Sequence, residues 1–315
     1  MNAPAIADEF EAEVVAAYGR HLRVRVGDDE VRARPSGRRH SIVCGDRVRC
    51  EVDRKHDEVL ITEVLPRRTL LARANTRGDS EPVVANITQL VVVVAPLPRP
   101  DLFVVDRYLC AATAAGIRGT LAINKADLES DADLAKEWSA YSAAGYAQTY
   151  CSAKQGQGLD ALRGLLAGAI SVLVGQSGVG KSSLVRALLP QAEVATAELA
   201  RDDEGRHTTT ASRAYQLQDL AGSSGGTLID SPGVRDFAPA IDHLDSQTLG
   251  FPEVDSRAAG CRFQDCKHLH EPGCAVIEAV AAREMSARRY ESYRRLRRLY
   301  SDLVEARGPG QRNRR

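Results

Sequence analysis

Aromatic side chains are scarce, 5% of 315 residues with a single tryptophan. Extensive base stacking is therefore not expected, and shape and charge should dominate the hold on a nucleic-acid partner. Net charge is also missing: 42 basic residues balance 42 acidic ones, so the bulk value points to no partner. No apolar run approaches the ~20 residues that span a bilayer. Met1–Phe10 is short and acidic with no apolar stretch, so a secretion signal is not expected. No internal repeat is evident. The seven cysteines are odd in number, and three of them crowd into one segment with histidines. That pattern argues against a disulfide framework and for a metal in a reducing, cytosolic compartment.

What charge there is lies unevenly. Residues 275–315 hold 11 arginines against 5 acidic groups, and Arg32, Arg34, Arg38 and Arg39 cluster near the start. Such patches suit a polyanion; each taken alone suits a solvated face as well. The expected organisation is multidomain. Residues 1–10 read as disordered. Residues 11–70 carry short alternating runs, Glu13–Ala17, His21–Val26, Arg32–Arg34, Arg47–Val52 and Val59–Val64, parted by turn formers such as Gly27-Asp28-Asp29 and Gly45-Asp46. Five short strands predict a closed β-barrel of the oligonucleotide-binding (OB) type, an SH3-like barrel being the alternative. Residues 71–248 change texture. Apolar runs Leu90–Ala95, Thr120–Ile123, Ser171–Val174 and Gly226–Asp230 alternate with helical stretches Val105–Ala115, Ala132–Ala144 and Lys181–Leu189. Strands buried on both faces with helices between them predict an α/β domain with a mostly parallel sheet. Residues 249–306 hold a cysteine-rich knot and a helical stretch from Ala275, a mainly α domain. Residues 307–315 read as a disordered basic tail.

Strand Ser171–Val174 runs into Gly175-Gln176-Ser177-Gly178-Val179-Gly180-Lys181-Ser182, then Ser183 and a helix. This strand–loop–helix carries GxxxxGKS intact. Backbone N–H groups of such a loop curl around a polyphosphate and the helix N-terminus adds its dipole. Lys181 is expected to reach the β- and γ-phosphates, and Ser182 to ligate Mg²⁺.

Base choice points to guanine. Asn124-Lys125-Ala126-Asp127 follows a predicted strand, and a carboxylate at Asp127 can accept from guanine N1–H and N2–H₂, which adenine does not offer. Asn124 is expected to orient the loop, with the Lys125 stem on the ring face. Ser152-Ala153-Lys154 follows the strand-like Thr149–Cys151 and places the Ala153 N–H for guanine O6. Downstream of the phosphate helix, Gly205-Arg206-His207-Thr208-Thr209-Thr210 and Asp230-Ser231-Pro232-Gly233 supply the switch elements. Asp230 fits the acid that holds Mg²⁺ through water, the Gly233 N–H can sense the γ-phosphate, and Thr209 or Thr210 completes the metal shell. The base motifs thus precede the phosphate loop, the reverse of the Ras order, so the domain is a circular permutation. Residue 234 is valine, where many GTPases carry a water-orienting glutamine. Slow intrinsic turnover is expected; His207 is the candidate substitute, with a docking role as the competing reading.

Cys261-x4-Cys266-x-His268-x5-Cys274 offers three thiolates and one imidazole, a closed Cys₃His set suited to a structural Zn²⁺, with His270 as the alternative imidazole. Cys44, Cys50, Cys110 and Cys151 read as ordinary core or strand positions.

With these residues in hand, the chain resembles the bacterial small-subunit-dependent GTPase A family of circularly permuted GTPases. The likeness runs from about Glu13 to Leu303 through NKAD, SAK, GQSGVGKSSL, GRHTTT, DSPGVRDF and CRFQDCKHLHEPGCAV. The resemblance implies an OB barrel, a permuted GTPase domain and a zinc domain whose ligands match Cys261, Cys266, His268 and Cys274. It also implies a cytoplasmic monomer that binds the 30S subunit and its 16S rRNA, acts in late maturation, and has GTP hydrolysis stimulated by the subunit. The alternatives are a permuted GTPase of large-subunit assembly, a type that lacks this pairing of barrel and zinc knot, and a nucleotide-gated RNA-binding switch that hydrolyses little. The departures from the family pattern, the proline-rich Leu97–Leu102 and Cys44 before Gly45-Asp46, are expected not to touch the nucleotide site.

Overall fold

The computed structural model describes residues 8–18, 21–37, 41–56, 58–74, 80–129, 131–189, 212–217, 225–231, 244 and 247–307. Five strands open the chain: β1 (Glu9–Tyr18), β2 (His21–Val26), β3 (Asp29–Pro35), β4 (Arg47–Asp53) and β5 (Glu58–Val64). They pair in the order β1-β2-β3-β5-β4, and β4 returns to β1, so the sheet closes. The β3–β5 pairing is parallel and the others are antiparallel. This is the five-stranded barrel of OB type, with Val14, Leu22, Val24, Val48, Cys50 and Ile61 inside. Glu9 and Phe10 already belong to β1, facing Glu51 and Cys50, so these two residues of the stretch expected to be disordered form a strand.

A hairpin, β6 (Leu70–Ala74) and β7 (Ser80–Ala85), follows the barrel. The central sheet comes next: β8 (Gln89–Val94), β9 (Arg118–Ile123), β10 (Ala147–Tyr150), β11 (Ile170–Val174), β12 (Ser212–Gln216) and β13 (Thr227–Asp230). Its order is β10-β9-β8-β11-β13-β12, parallel except for β12. Helices α1 (Leu102–Ala114) and α2 (Ala132–Ala143) cover one face, and α3 (Leu159–Leu166) and α4 (Lys181–Leu188) the other. Along β8, Leu90, Val92 and Val94 enter the first core while Val91 and Val93 enter the second. That is why the run reads as unbroken valine rather than as an alternation.

One sheet spans both units, because β12 pairs with β1 on its far side through Ala16↔Arg213 and Ala17↔Ser212. The β1–β2 register shifts between Val14 and Ala16, a bulge at Val15. Its effect is that consecutive residues face different cores, Val14 the barrel and Val15 the cluster under the central sheet. The Cys44 thiol donates to the Val15 carbonyl at 3.5 Å and is packed in the same cluster.

The C-terminal part is helical: α5 (Pro252–Ala258), α6 (Ala275–Ala281) and α7 (Ala287–Arg307). The helical stretch expected from Ala275 onward is thus two helices. Arg283 adopts φ +61° between them and Ser286 accepts from the Arg289 N–H at 3.3 Å, restarting the helix. Among the described residues no helix is long and apolar enough to cross a membrane.

Several arginines of the two sequence clusters are paired or turned inward, as are neighbours on the barrel. On the barrel, Arg34 pairs with Glu58, Arg47 with Glu11 at 2.7 Å and Arg49 with Glu63 at 3.1 Å. Arg38 and Arg39 lie outside the described residues. On α7, Arg289 is 1% exposed between Asp106 of α1 and Glu253 of α5, its guanidinium over the rings of Tyr141, Tyr146 and Phe251. Arg288 joins Asp106 and Glu137, and buried Arg297 donates to the Gln247 carbonyl. Burial pushes the Asp106 carboxyl upward against the pull of the Arg289 and Arg288 guanidiniums. The cluster fastens the C-terminal helices to α1 and α2.

Candidate functional site

Four loops leave the C-terminal edge of the parallel sheet side by side. Ser152 follows β10, Asn124 follows β9, Gly175 follows β11 and Asp230 ends β13. With β8 between β9 and β11, four strand spacings of about 4.8 Å separate the outermost loops, about 19 Å in all, which accommodates a nucleoside triphosphate lengthwise. Chain order does not enter this geometry, which is why motifs in inverted order still converge.

The phosphate loop is preformed. Lys181, almost wholly buried, donates from Nζ to the Gly175 carbonyl at 2.5 Å and the Gln176 carbonyl at 3.0 Å, which aims the ammonium along the inside of the loop. Gln176, Ser177, Gly178, Ser182 and Ser183 are exposed, leaving the cradle open, while Val179 is anchored in the core. Gly175 has φ +139° and a Cβ there would meet the Val93 carbonyl at 2.2 Å, so only glycine fits.

The base loop is bolted to the phosphate loop. Asn124, 1% exposed, donates from Nδ2 to the Val179 carbonyl at 2.9 Å and accepts on Oδ1 from the Ala153 N–H at 3.1 Å. One side chain therefore ties NKAD, SAK and the phosphate loop together. Gly180, at φ +96°, leaves room for it, since a Cβ would sit 2.3 Å from that Nδ2. Lys125, itself at φ +57°, donates to the Gly178 carbonyl at 2.8 Å and the Leu97 carbonyl at 2.7 Å. The Ala126 N–H donates to the Cys151 carbonyl at 3.0 Å. Asp127 has a buried Oδ1 with no hydrogen-bond partner, and the Ser152 side chain, then Lys154 and Lys125, hold its carboxyl below the usual range. An ionised carboxylate with an unmet oxygen is what two guanine N–H donors require.

The proline-rich segment, expected to stand clear of this site, touches it. The Leu97 carbonyl receives Lys125, Pro98 lies against Gly178, and the Asp101 N–H donates to Gln176 Oε1 at 3.4 Å. A backbone carbonyl leaves no mark in sequence, so this contact had no signal to read. His207, Thr209, Thr210 and Gly233 lie outside the described residues, as does Val234. Asp230 is half-buried, and the Ser231 hydroxyl beside it shares a 2.7 Å hydrogen bond with Ser212 Oγ of β12.

The second site joins Cys261, Cys266, His268 and Cys274, whose donor atoms all lie within 4.8 Å of one another. His268 Nδ1 is 3.4 Å from both the Cys261 and Cys274 sulfurs, and those sulfurs are 3.9 Å apart. A tetrahedral zinc with Zn–S of about 2.3 Å and Zn–N of about 2.0 Å demands edges of about 3.8 and 3.5 Å, so the donor set fits. His268, rather than His270, is the imidazole brought in. Glu271 shapes the turn: its carboxylate accepts from the N–H groups of Lys267, Leu269 and His270 at 2.8–3.0 Å. Burial opposes its charge, but those donors win and bring its pKa to about 2. Tyr290 and Tyr293 of α7 donate to the carbonyls of His268 and Lys267, both at 2.8 Å, clamping the knot to the helix.

The chain is similar to known proteins in sequence and in fold. The sequence profile described as RsgA GTPase matches residues 64–239. The small ribosomal subunit biogenesis GTPase RsgA of Azotobacter vinelandii is 39% identical over 90% of this chain and 83% of that protein. The protein of the same name from Ectopseudomonas mendocina is 42% identical over 81% of this chain and 74% of its own length. Among solved structures, YjeQ from Thermotoga maritima aligns with a TM-score of 0.72 at 28% identity, covering 93% of this chain and 98% of that one. YloQ, described as a circularly permuted GTPase, aligns with a TM-score of 0.70 at 25% identity, covering 96% and 99%. Permuted order, converging loops and relatives agree, and the chain belongs to the RsgA family of GTPases.

Proposed function

We propose that this chain hydrolyses GTP to GDP and phosphate in the cytoplasm, binds the small (30S) ribosomal subunit as a monomer, and acts in its late maturation, turning over faster on the subunit. One observation carries the nucleotide reading: Asn124 locks the base loop to the phosphate loop while Asp127, partly exposed at the end of that loop, keeps a carboxylate oxygen without a protein partner. The subunit comes from the relatives, which are named small ribosomal subunit biogenesis GTPases.

In this reading Asp127 takes guanine N1–H and N2–H₂, the Ala153 N–H takes O6, and Lys125 covers the ring between Ser152, Lys154 and Ala126. The loop from Gly175 to Ser183 wraps the phosphates, and Lys181 neutralises charge developing between the β- and γ-phosphates. Ser182, Asp230 and either Thr209 or Thr210 would hold Mg²⁺, which supplies further neutralisation of the phosphate oxygens when bound. The Gly233 N–H senses the γ-phosphate. His207 orients the attacking water in place of the absent glutamine, acting beside Lys181 and Thr209. Cys261, Cys266, His268 and Cys274 would hold one Zn²⁺ that cross-links the knot and takes no part in hydrolysis. The barrel at 11–70 and the zinc unit at 249–306 flank the GTPase domain at 71–248. Exposed Arg295 and Arg298, with the basic tail 307–315, contact 16S rRNA phosphates, so affinity falls steeply with salt.

Phosphate release from GTP, measured alone, with 30S and with 50S particles, tests this. Stimulation by 30S is expected. Stimulation by 50S alone would transfer the protein to large-subunit assembly, and none in any mixture would make it a nucleotide-gated switch. Calorimetry showing ATP bound as tightly as GTP would end the guanine reading.

A further inference from the structure

Strand β12 stands between the candidate magnesium acid and the barrel. On one side Arg213 is the direct cross-strand partner of Asp230. On the other, Arg213 faces Ala16 of β1, and its Nη2 donates to Glu30 Oε2 of β3 at 3.0 Å. Both side chains of that pair are largely shielded, 16% and 25% exposed. Directly opposed residues of an antiparallel pair place their Cβ atoms about 4.5–5.5 Å apart on one face, well within the reach of a guanidinium. Arg213 can therefore pair with either of two carboxylates, one in the barrel and one in the hydrolytic site.

We propose that Glu30 is a positioning residue for GTP hydrolysis: by holding Arg213, it keeps that guanidinium from neutralising Asp230, which must stay available for the magnesium shell. The barrel is then part of the hydrolytic machinery. This inference rests on the GTPase reading above. It is also local: Asn124, Lys125, Asp127 and Lys181 make their hydrogen bonds without β12, so guanine and phosphate recognition stay outside its reach.

Hydrolysis by the full chain, followed as a function of free Mg²⁺, tests it in three variants. In Glu30→Gln the Mg²⁺ concentration for half-maximal rate should rise about fivefold, the upper range for an opposite-charge cross-strand pair. GDP affinity measured in chelator should stay at the wild-type value. In Arg213→Gln the Mg²⁺ requirement should not rise, and in Glu30→Gln/Arg213→Gln it should return to the wild-type value, since no guanidinium remains to compete. A purely structural ion pair predicts the opposite, with the double variant no better than either single one. A wild-type requirement in Glu30→Gln, or no recovery in the double variant, overturns the proposal. Failure of the wild-type chain to hydrolyse GTP with Mg²⁺ would instead strike the underlying reading.

Discussion

Replacing Arg289 by alanine removes a guanidinium packed among Asp106, Glu253 and three aromatic rings. Breaking a buried ion pair from one side costs about 3–5 kcal/mol, because the surviving partner keeps its burial without its counter-charge. Asp106 still has Arg288, whereas Glu253 retains no other side-chain partner among the described residues, which places the cost near the lower end, about 3 kcal/mol. With a urea slope of about 3 kcal/mol/M for a chain of this size, the unfolding midpoint should fall by about 1 M. The only tryptophan is well placed to report it: Trp138 stacks 6.2 Å from Tyr141, whose ring lies 4.9 Å from the Arg289 guanidinium carbon. The penalty should shrink on acidification. Burial raises the Asp106 carboxyl and the Arg289 guanidinium is the largest charge pulling it back down, so the variant's carboxyl rises further and gains more from protonation than the wild type's as pH drops. The shift measured at pH 5 should therefore be smaller than at pH 8. A midpoint change below about 0.3 M, or a larger one at the lower pH, would refute the view that this cluster fastens the C-terminal helices.

Asp127→Asn presents an amide N–H₂ toward guanine's own donors, so GTP affinity should fall at least about 100-fold while xanthosine triphosphate, with a carbonyl at C2, gains; competition binding reads both. Unchanged GTP affinity would remove Asp127 from the base site. Asn124→Ala strands the Val179 carbonyl and the Ala153 N–H, and nucleotide affinity should drop by about 30- to 100-fold, matching about 2–3 kcal/mol for two buried unmade bonds. Metal uptake by the knot should release protons, since burial pushes the metal-free Cys266 thiol up to about 12 and raises Cys274 as well. Zinc affinity, followed with a chromophoric chelator, should accordingly weaken as pH falls; a pH-independent affinity would contradict the thiolate assignment. Glu271→Gln should lose zinc faster than wild type because the turn carrying His268 loses its charged acceptor.

The candidate nucleotide and metal sites were legible because their chemistry dictates side-chain type at fixed spacing. Glycine at 175 and 180, lysine at 181 and three cysteines around His268 are each required by a backbone angle, a charge or a donor set. The run of β8 announced itself through unbroken apolarity, and those of β9 and β11 through largely apolar stretches beside their motifs. The hairpin β6–β7 did not: Leu70–Ala74 reads LLARA, a composition as helical as it is extended, and pairing alone makes it a strand. β12 was equally hidden, five polar-leaning residues whose role is to lie between two units. The arginine clusters misled in a different way. Counting charge along the chain says nothing about direction, and Arg288, Arg289 and Arg297 turn inward on one face of α7 while Arg295 and Arg298 stay outside.

The bulge that turns Val14 and Val15 toward different cores also governs how the molecule can be assembled. During synthesis Ala16 and Ala17 emerge long before Ser212 and Arg213, so the barrel must persist with one strand edge bare until the GTPase sheet arrives to cover it. A fragment cut after the barrel would keep that edge open indefinitely, and a GTPase fragment without the barrel would expose β12 instead. Either piece alone carries half of an unfinished seam, and each is prone to self-pairing along it.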